Sequence, residues 1–534
     1  MQANRVFRAC VLLAASIGVA SCQDLAVTNP NAPDRERAIS NPSDVQALVA
    51  TSFTSWWAVA QGTLPGFPFT TMADEFTSGF ADYGILAASS EPRIAYNNST
   101  SNTRRFQNEV PWYELYGALS NVNDAMAAID RGVVITEGGV DVTDRTRAFG
   151  KFMQGLTLGY IALFYDQGYI VDESTPAAEL GRPVLRPYAE VRDSALQKLD
   201  EAIAISTAET FSIPSSGWVN GIAIDNAQLA QLARTFQARF LAYTPRSPQE
   251  RAAVDWERVI ALIDGAITSD FAPVGIPDVL FTDMRRVVAR ERPNRPPGDF
   301  ARVDYFLVGP ADTTGRFQQW VASPLNERNP FQIATPDRRV HGNAGPASAG
   351  KYVAYDANTI FALDRGVYQR SFYWYLRLGR GTSYQDGPQL AITRTELDLL
   401  QAEGFIRTGL PERAVPLINK SRVANGTLPP VTTDGPPLDA ACVPRKVTSN
   451  ACGSLWDALR WEKRIEGLGI DPNVAFFDAR GWGTLIAGTP VHMPIPAREI
   501  ETLALTPYTF GGSGAGSAPA PSYDSCPVAL PRCN

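Results

Sequence analysis

Histidine is almost absent from this 534-residue chain. The two that occur, His341 and His492, lie far apart, and neither has a cysteine or histidine at metal-ligand spacing such as C-x-x-C or H-E-x-x-H. No zinc site of the usual kind is expected, and no metal is assigned. A phosphate loop of the form G-x-x-x-x-G-K-[ST] is missing, and no G-x-G-x-x-G follows a strand-like run, so no nucleotide or other cofactor is expected. Gly511-Gly-Ser-Gly-Ala-Gly516 has the composition of a linker, and Ala515 breaks any nucleophile-elbow pattern in it. Lysine is scarce too, confined to Lys151, Lys198, Lys351, Lys420, Lys446 and Lys463. Acidic residues outnumber Lys and Arg by 55 to 48, for a net charge of −7, which argues against a surface that binds nucleic acid by counterion release.

Hydrophobic residues make up 45% of the chain and charged residues 19%, enough apolar side chain to build cores and too little charge for a disordered polymer. The length implies roughly two to four structural units. At the N-terminus, Arg5 and Arg8 precede an apolar run from Ala9 to Ala20, followed by Val19-Ala20-Ser21-Cys22. That order is the layout of a secretory signal, and a run of about twelve residues is too short to span a bilayer. The last four residues resemble a bacterial lipobox, which makes residues 1–21 a lipoprotein signal peptide and Cys22 the lipidated N-terminus. The alternative is an ordinary signal peptide cut near Ser21, with Cys22 incidental. Two or more acyl chains hold a protein stably at a membrane surface. By resemblance to bacterial lipoproteins, Gln23 after the cysteine favours the outer membrane. The other thiols of the mature chain form two local sets, Cys442 with Cys452 and Cys526 with Cys533. An exported compartment permits disulfides, and two short loops are the simplest of three pairings, with four free thiols as the alternative.

Residues 22–40 are polar and turn-rich, with Thr28-Asn-Pro-Asn-Ala-Pro33 reading as a tether. Helices follow. Asn41 suits a cap and Pro42 the first helical position. Val45, Leu48, Val49, Phe53 and Trp56 then recur on one face. Leu115, Leu119, Val122, Met126 and Ile129 form a second stripe at i, i+4, i+7, i+11 and i+14. Further stripes begin at Ala148, Val191, Leu229 and Trp256, and Gly155, Gly159 and Ala162 within one helix invite close approach of a neighbour. Ser247-Pro-Gln-Glu250 has the form of a capping box. Residues 41–270 are thus expected to form degenerate TPR-like helical hairpins. Residues 271–380 lose the helical period and read as a loop-rich insertion with short strands. Helices resume over 381–506, including Arg394–Phe405, Glu412–Val423 with Pro416 as a kink or stop, and a final helix from about Ser454 to Glu466. Residues 507–534 read as a Gly/Ser/Pro-rich loop tail with a cysteine pair.

Several blocks resemble one known family in the family's own order. They are Leu25–Asn31 running into the first helix, then Arg147-Ala-Phe-Gly-Lys through Leu163-Phe-Tyr-Asp166, then Ala402-Glu403 with Asn419-Lys-Ser-Arg422. Next come Trp461-Glu-Lys-Arg-Ile-Glu466, Phe477-Asp-Ala-Arg-Gly-Trp482-Gly483, and Pro494-Ile-Pro496. The chain resembles the SusD/RagB lipoproteins of nutrient uptake. Tyr165 replaces the glycine of the family's Phe-Gly-Asp, and Gly467–Phe476 is longer than the family's pattern. The resemblance implies a mainly α, SusD-like scaffold with a loop-rich insertion. It also implies an outer-membrane, surface-exposed location and a SusC-like TonB-dependent transporter as partner. The ligand it implies is an oligosaccharide or another polymer-derived nutrient.

A sugar presents C–H faces and hydroxyl edges, so its site needs aromatic rings beside polar side chains. The loops after the first helix and the central insertion supply such sets, and Tyr83, Arg93, Tyr96, Asn97, Tyr305 and Trp320 are the candidate ligand residues. Trp56 and Trp57 fit the helix stripe better than a platform. Arg464, Glu466, Asp478 and Arg480 fit ion pairs of the scaffold. No carboxylate sits in a motif that assigns it a catalytic role, so the reading is a non-catalytic binding protein. The alternatives are a helical glycoside hydrolase, which needs two carboxylates about 5 to 10 Å apart, and an adhesive or scaffolding surface lipoprotein.

Overall fold

A computed structural model describes residues 40–78, 84–277, 279–280, 288, 301–357, 371–377 and 386–533. The signal segment, Cys22 and Tyr83 lie outside the described residues. The chain begins with α1 (Pro42–Ala60), where the Asn41 side chain accepts from Ser43 N and Pro42 occupies the first turn. It buries Val45, Val49, Phe53, Trp56 and Trp57 against α4 (Phe106–Asp130). Between them lie α2 (Thr63–Met72), irregular at Leu64, and the single turn α3 (Ile85–Ala88).

The rest of the N-terminal half is a series of antiparallel helices, α5 (Thr143–Phe164), α6 (Tyr188–Ala208), α7 (Asn226–Tyr243), α8 (Pro248–Ala252) and α9 (Trp256–Asp264). α5 is the central member, with every residue from Arg145 to Phe164 buried except Arg147. Its glycines set the spacing: a Cβ on Gly155 would lie 2.6 Å from Leu199 Cγ of α6, and one on Gly159 would lie 2.1 Å from Phe240 Cε2 of α7. Fully burying each large side chain along these faces contributes roughly 1.5–3 kcal/mol, so packing, not local propensity, holds the array. Ser247 caps α8 through Glu250 N, but the Glu250 carboxylate turns to Arg246 N and Tyr188 and leaves the capping box half made. A complete box, Asp225 with Gln228, starts α7.

Among its described residues the insertion has little regular structure. β1 (Phe76–Ser78) pairs antiparallel with β2 (Ala301–Val303), with Phe76 opposite Val303, and β3 (Val353–Tyr355) pairs with β4 (Tyr373–Tyr375). α10 (Tyr305–Val308) and α11 (Arg316–Ala322) lie between these pairs. Their rings form a second core with Phe67, Phe76, Phe331 and Trp461.

The C-terminal helices α12 (Arg394–Arg407), α13 (Pro411–Ala424) and α14 (Leu455–Gly467) pack on one another and, through α9, on the first array. Two expectations are corrected here. α13 continues through Pro416, which neither stops nor divides it. α14 is not the last helix, because α15 (Val474–Trp482) follows.

Charged residues of the resemblance blocks knit these helices together. Arg251 of α8, with 0% of its side chain exposed, reaches Glu403 of α12 at 2.7 Å and Asp478 of α15 at 2.8 Å. Lys463 of α14 joins the same two carboxylates. Glu466 pairs with Arg339 and Arg377 of the insertion. Arg464 and Arg480 differ from the expected ion pairs, because they donate to backbone carbonyls: Arg464 to Phe306, Ala73 and Asp74, and Arg480 to Leu163, Val491 and Tyr243. Cys442–Cys452 and Cys526–Cys533 are disulfide-bonded. No helix among the described residues is long and apolar enough to cross a membrane.

Candidate functional site

A cleft of about 300 Å³ opens between α2, α3, the loop of residues 93–97, the start of α4 and the segment 490–493. Its walls are mostly apolar, from Pro68, Met72, Ala87, Ala88, Pro490 and Met493, with Arg93, Tyr96, Asn97 and Asn102 as polar members. A concave, largely apolar surface with a few convergent polar groups is the usual form of a small-ligand site.

Local chemistry explains how the loop is held. The chain turns out of α2 at Asp74, which adopts φ +52°, a left-handed conformation that Asp tolerates better than most residues. Asp74 then accepts from Arg93 Nη2 at 2.8 Å, while Arg93 Nε donates to Thr489 Oγ1 at 3.1 Å and Nη1 to Ser90 O at 3.2 Å. The guanidinium is therefore engaged within the protein, and Arg93 offers the cleft mainly its stem. Asn98 fixes the far side, donating to Ile495 O and Tyr508 O and accepting from Ala497 N. Asn97 is exposed, and its side chain accepts from Ser99 N at 3.2 Å. Gly84 begins α3 at φ +73°, where a side chain would be strained.

Tyr96 is the distinctive member. Its backbone N–H donates to Phe510 O at 2.9 Å, which fixes the ring's origin, and Thr509 Oγ1 donates to its carbonyl. Its hydroxyl is enclosed, out of contact with the open cleft, and among the described residues makes no hydrogen bond. Burial, with the nearby Glu109 charge adding to it, pushes the phenol well above its ordinary range, so the group is a neutral donor and acceptor.

The C-terminal tail backs the segment 488–491 that leads into the wall. Gly512 N donates to Gly488 O at 2.8 Å, Val491 N to Gly516 O at 3.0 Å and Ala518 N to Thr489 O at 2.8 Å. The stretch with linker composition, 511–516, is thus a fitted strap. Nothing in its composition signalled this, because Gly and Ser serve tight turns and free linkers equally. Behind the strap, His492 packs its ring 4.3 Å from Phe510, and burial, with the Arg246 and Arg480 charges, pushes the imidazole down to about 2. It is neutral at any ordinary pH. The other histidine, His341, accepts from Thr335 N at 3.2 Å. Among the described residues no three His, Cys, Asp or Glu side chains come together as a metal would need.

The structure brings Arg93, Tyr96 and Asn97 to this cleft and places Tyr305 and Trp320 elsewhere. Tyr305 is fully buried, stacked 4.7 Å from Phe331 with its hydroxyl donating to Phe331 O at 2.6 Å. Trp320 is 5% exposed, leaning on Tyr305 with the Arg328 guanidinium 4.7 Å from its ring centre. Both belong to the second core, and a ligand would have to open that core to touch them.

No protein-family model matches the sequence. No curated protein matches it either. Solved structures do. A SusD-like protein from Bacteroides fragilis superposes with a TM-score of 0.55 at 14% identity, over 88% of this chain and 97% of its own. Surface glycan-binding protein A from Bacteroides uniformis gives 0.52 at 13%, over 86% and 98%. A SusD homologue from Bacteroides thetaiotaomicron gives 0.52 at 14%, over 83% and 89%. The chain has the fold of the SusD-like proteins.

Proposed function

We propose that this protein is a non-catalytic, lipid-anchored binding protein of the outer-membrane surface. It captures an oligomeric nutrient, a glycan in the first instance, and passes it to a SusC-like TonB-dependent transporter. The observation that carries the reading is the cleft beside Tyr96: a 300 Å³ recess with mostly apolar walls and a few polar side chains along them. Apolar walls suit the C–H faces of a sugar, and the polar side chains along them suit its hydroxyl edges. Arg93 positions the loop, Tyr96 contacts the ligand, and Asn97 lies at the mouth. Fold likeness to a protein named for surface glycan binding supports the ligand class, and the lipobox-like Val19–Cys22 supports the anchor.

The partner is tested by purifying the protein from native outer membranes in mild detergent and identifying what accompanies it. A stoichiometric TonB-dependent barrel is expected. Recovery of the protein alone, from membranes in which other importer complexes survive, contradicts the delivery step and shifts weight to the adhesive or hydrolytic alternatives.

A further inference from the structure

A second recess lies away from the Tyr96 cleft, between the loop 444–447, α14, α15 and residues 523–524 of the tail. It is small, about 60 Å³, room for on the order of four waters. Rings line it: Phe306 stacks on Tyr523 at 5.5 Å, and Trp461 and Trp482 stand nearby. Four cations face it, Arg445, Lys446, Arg460 and Arg464, against two carboxylates, Asp457 and Asp524.

Both carboxylates are already engaged. Asp457 caps α14 with Ser454 and pairs with Arg460, and Asp524 accepts from Val447 N, Thr448 N and the Thr448 hydroxyl. Arg464 is occupied by backbone carbonyls. Two cations are left over. Lys446 is only 8% exposed as a residue, its ammonium reaches solvent, and among the described residues it has no carboxylate at ion-pairing distance. Arg445 has no ion pair either: its Nη2 donates to Asp439 O at 3.2 Å, while its buried Nε–H has no acceptor among the described residues. The loop that carries the pair is firmly held. Cys442–Cys452 closes it, Lys446 N donates to Ala451 O at 2.8 Å, Arg445 N to Pro310 O at 2.7 Å, and Gln318 Nε2 to Lys446 O at 2.8 Å. Two unpaired cations on a pinned loop, in a small ring-lined recess, form a preorganised anion site.

We propose that this recess binds a small anionic group, a carboxylate or sulfate, through Lys446 and Arg445, as a site separate from the Tyr96 cleft and independent of what that cleft binds. Free anion and acidic sugar unit share this chemistry, and the probes separate them. Inorganic sulfate, glucose 6-sulfate, glucuronate and neutral glucose are titrated into the full-length protein in mild detergent, followed by calorimetry and by the fluorescence of Trp461 and Trp482. At least one anion is expected to bind in the millimolar range or tighter, with glucose silent. Lys446→Met and Arg445→Gln are each expected to weaken it about tenfold or more, without change in the thermal melting profile. Equal affinity for sulfate and glucose 6-sulfate identifies the free anion as the ligand, and tighter binding of the sugar ester or of glucuronate identifies an acidic sugar. Absence of binding by all three anions overturns the proposal. Binding that both variants retain unchanged, or that glucose matches, overturns it equally. If Lys446→Met does not fold, Arg445→Gln, at a half-buried position, decides alone.

Discussion

Replacing Glu403 by Gln removes the charge at the centre of a deeply enclosed ion cluster in the C-terminal half. In the native chain the Glu403 carboxylate accepts from Arg251 Nε at 3.0 Å and Nη2 at 2.7 Å, from Arg407 Nε at 2.9 Å, from Trp482 Nε1 at 3.2 Å and from Lys463 Nζ at 3.4 Å. Burial works against its charge, but Arg251, then Lys463 and Arg407, outweigh burial and hold the carboxyl well below the usual carboxylate range. Gln is nearly the same size, so no cavity forms. What is lost is the counter-charge: three cations, at most 6% exposed as side chains, are left with Asp478 alone. Breaking a buried ion pair by removing one partner costs about 3–5 kcal/mol, and this variant is expected within that range. Arg251→Met in the same background is expected to be less damaging than the sum of the two single changes, since each alone strands the other's charge. Guanidinium unfolding followed by tryptophan fluorescence measures both, with Trp256, Trp456 and Trp482 as local reporters. A shift within the ±0.5 kcal/mol typical of surface substitutions would refute the reasoning.

Tyr96→Phe deletes a hydroxyl that has no partner among the described residues. Stability is expected to hold or rise, while affinity for a bound oligosaccharide stays within about twofold, because the enclosed hydroxyl does not face the cleft; melting and calorimetry on one sample check both. Burial pushes the Glu75 carboxyl up to about 7, against the pull of Thr70, Arg464 and Gly469 N. The folded chain therefore keeps a proton that the unfolded chain releases near 4.5, and Glu75 makes stability fall as pH rises from 4.5 to 7, by on the order of 3 kcal/mol. Glu75→Gln is expected to flatten that part of the pH profile, and a profile parallel to wild type contradicts the assignment. Gly159→Ala drives a Cβ to 2.1 Å from Phe240 and is expected to cost roughly 1–3 kcal/mol by overpacking α5 on α7, measured by the same unfolding assay.

Period explains which parts of the molecule were readable in advance. The stripes starting at Val45 and Leu115 became α1 and α4 because a helix repeats every 3.6 residues and each stripe faces one neighbour. Gly155 and Gly159 were readable as contact points for the same reason. The helix at 474–482 escaped notice because it is buried nearly all round, from Val474 to Trp482, and so lacks an amphipathic alternation. Pro416 misled because proline is disruptive deep in a helix, whereas α13 starts only five residues earlier and exposes Glu412, whose carbonyl loses its partner, to water.

The site divided along similar lines. Tyr96, Asn97 and Arg93 lie on a loop that folds back over the helical array, and they reached the cleft together. Tyr305 and Trp320 have the same composition signature, since aromatic rings beside polar side chains describe a sugar platform and an aromatic core alike. Only depth separates the two, and depth is set by β1–β2 pairing, which brings segments more than 220 residues apart together. The strap at 511–518 was illegible for a related reason: its hydrogen bonds are to residues 488–491, and no local pattern encodes that register.

The most direct test of the central claim is native affinity electrophoresis through gels containing neutral soluble glycans, comparing the wild-type protein with Tyr96→Ala. The account predicts that at least one glycan retards the wild type, that Tyr96→Ala runs as in a glycan-free gel, and that the glycan is recovered uncleaved. Retardation equal in both proteins, or release of shortened products, would contradict a binding site at the Tyr96 cleft.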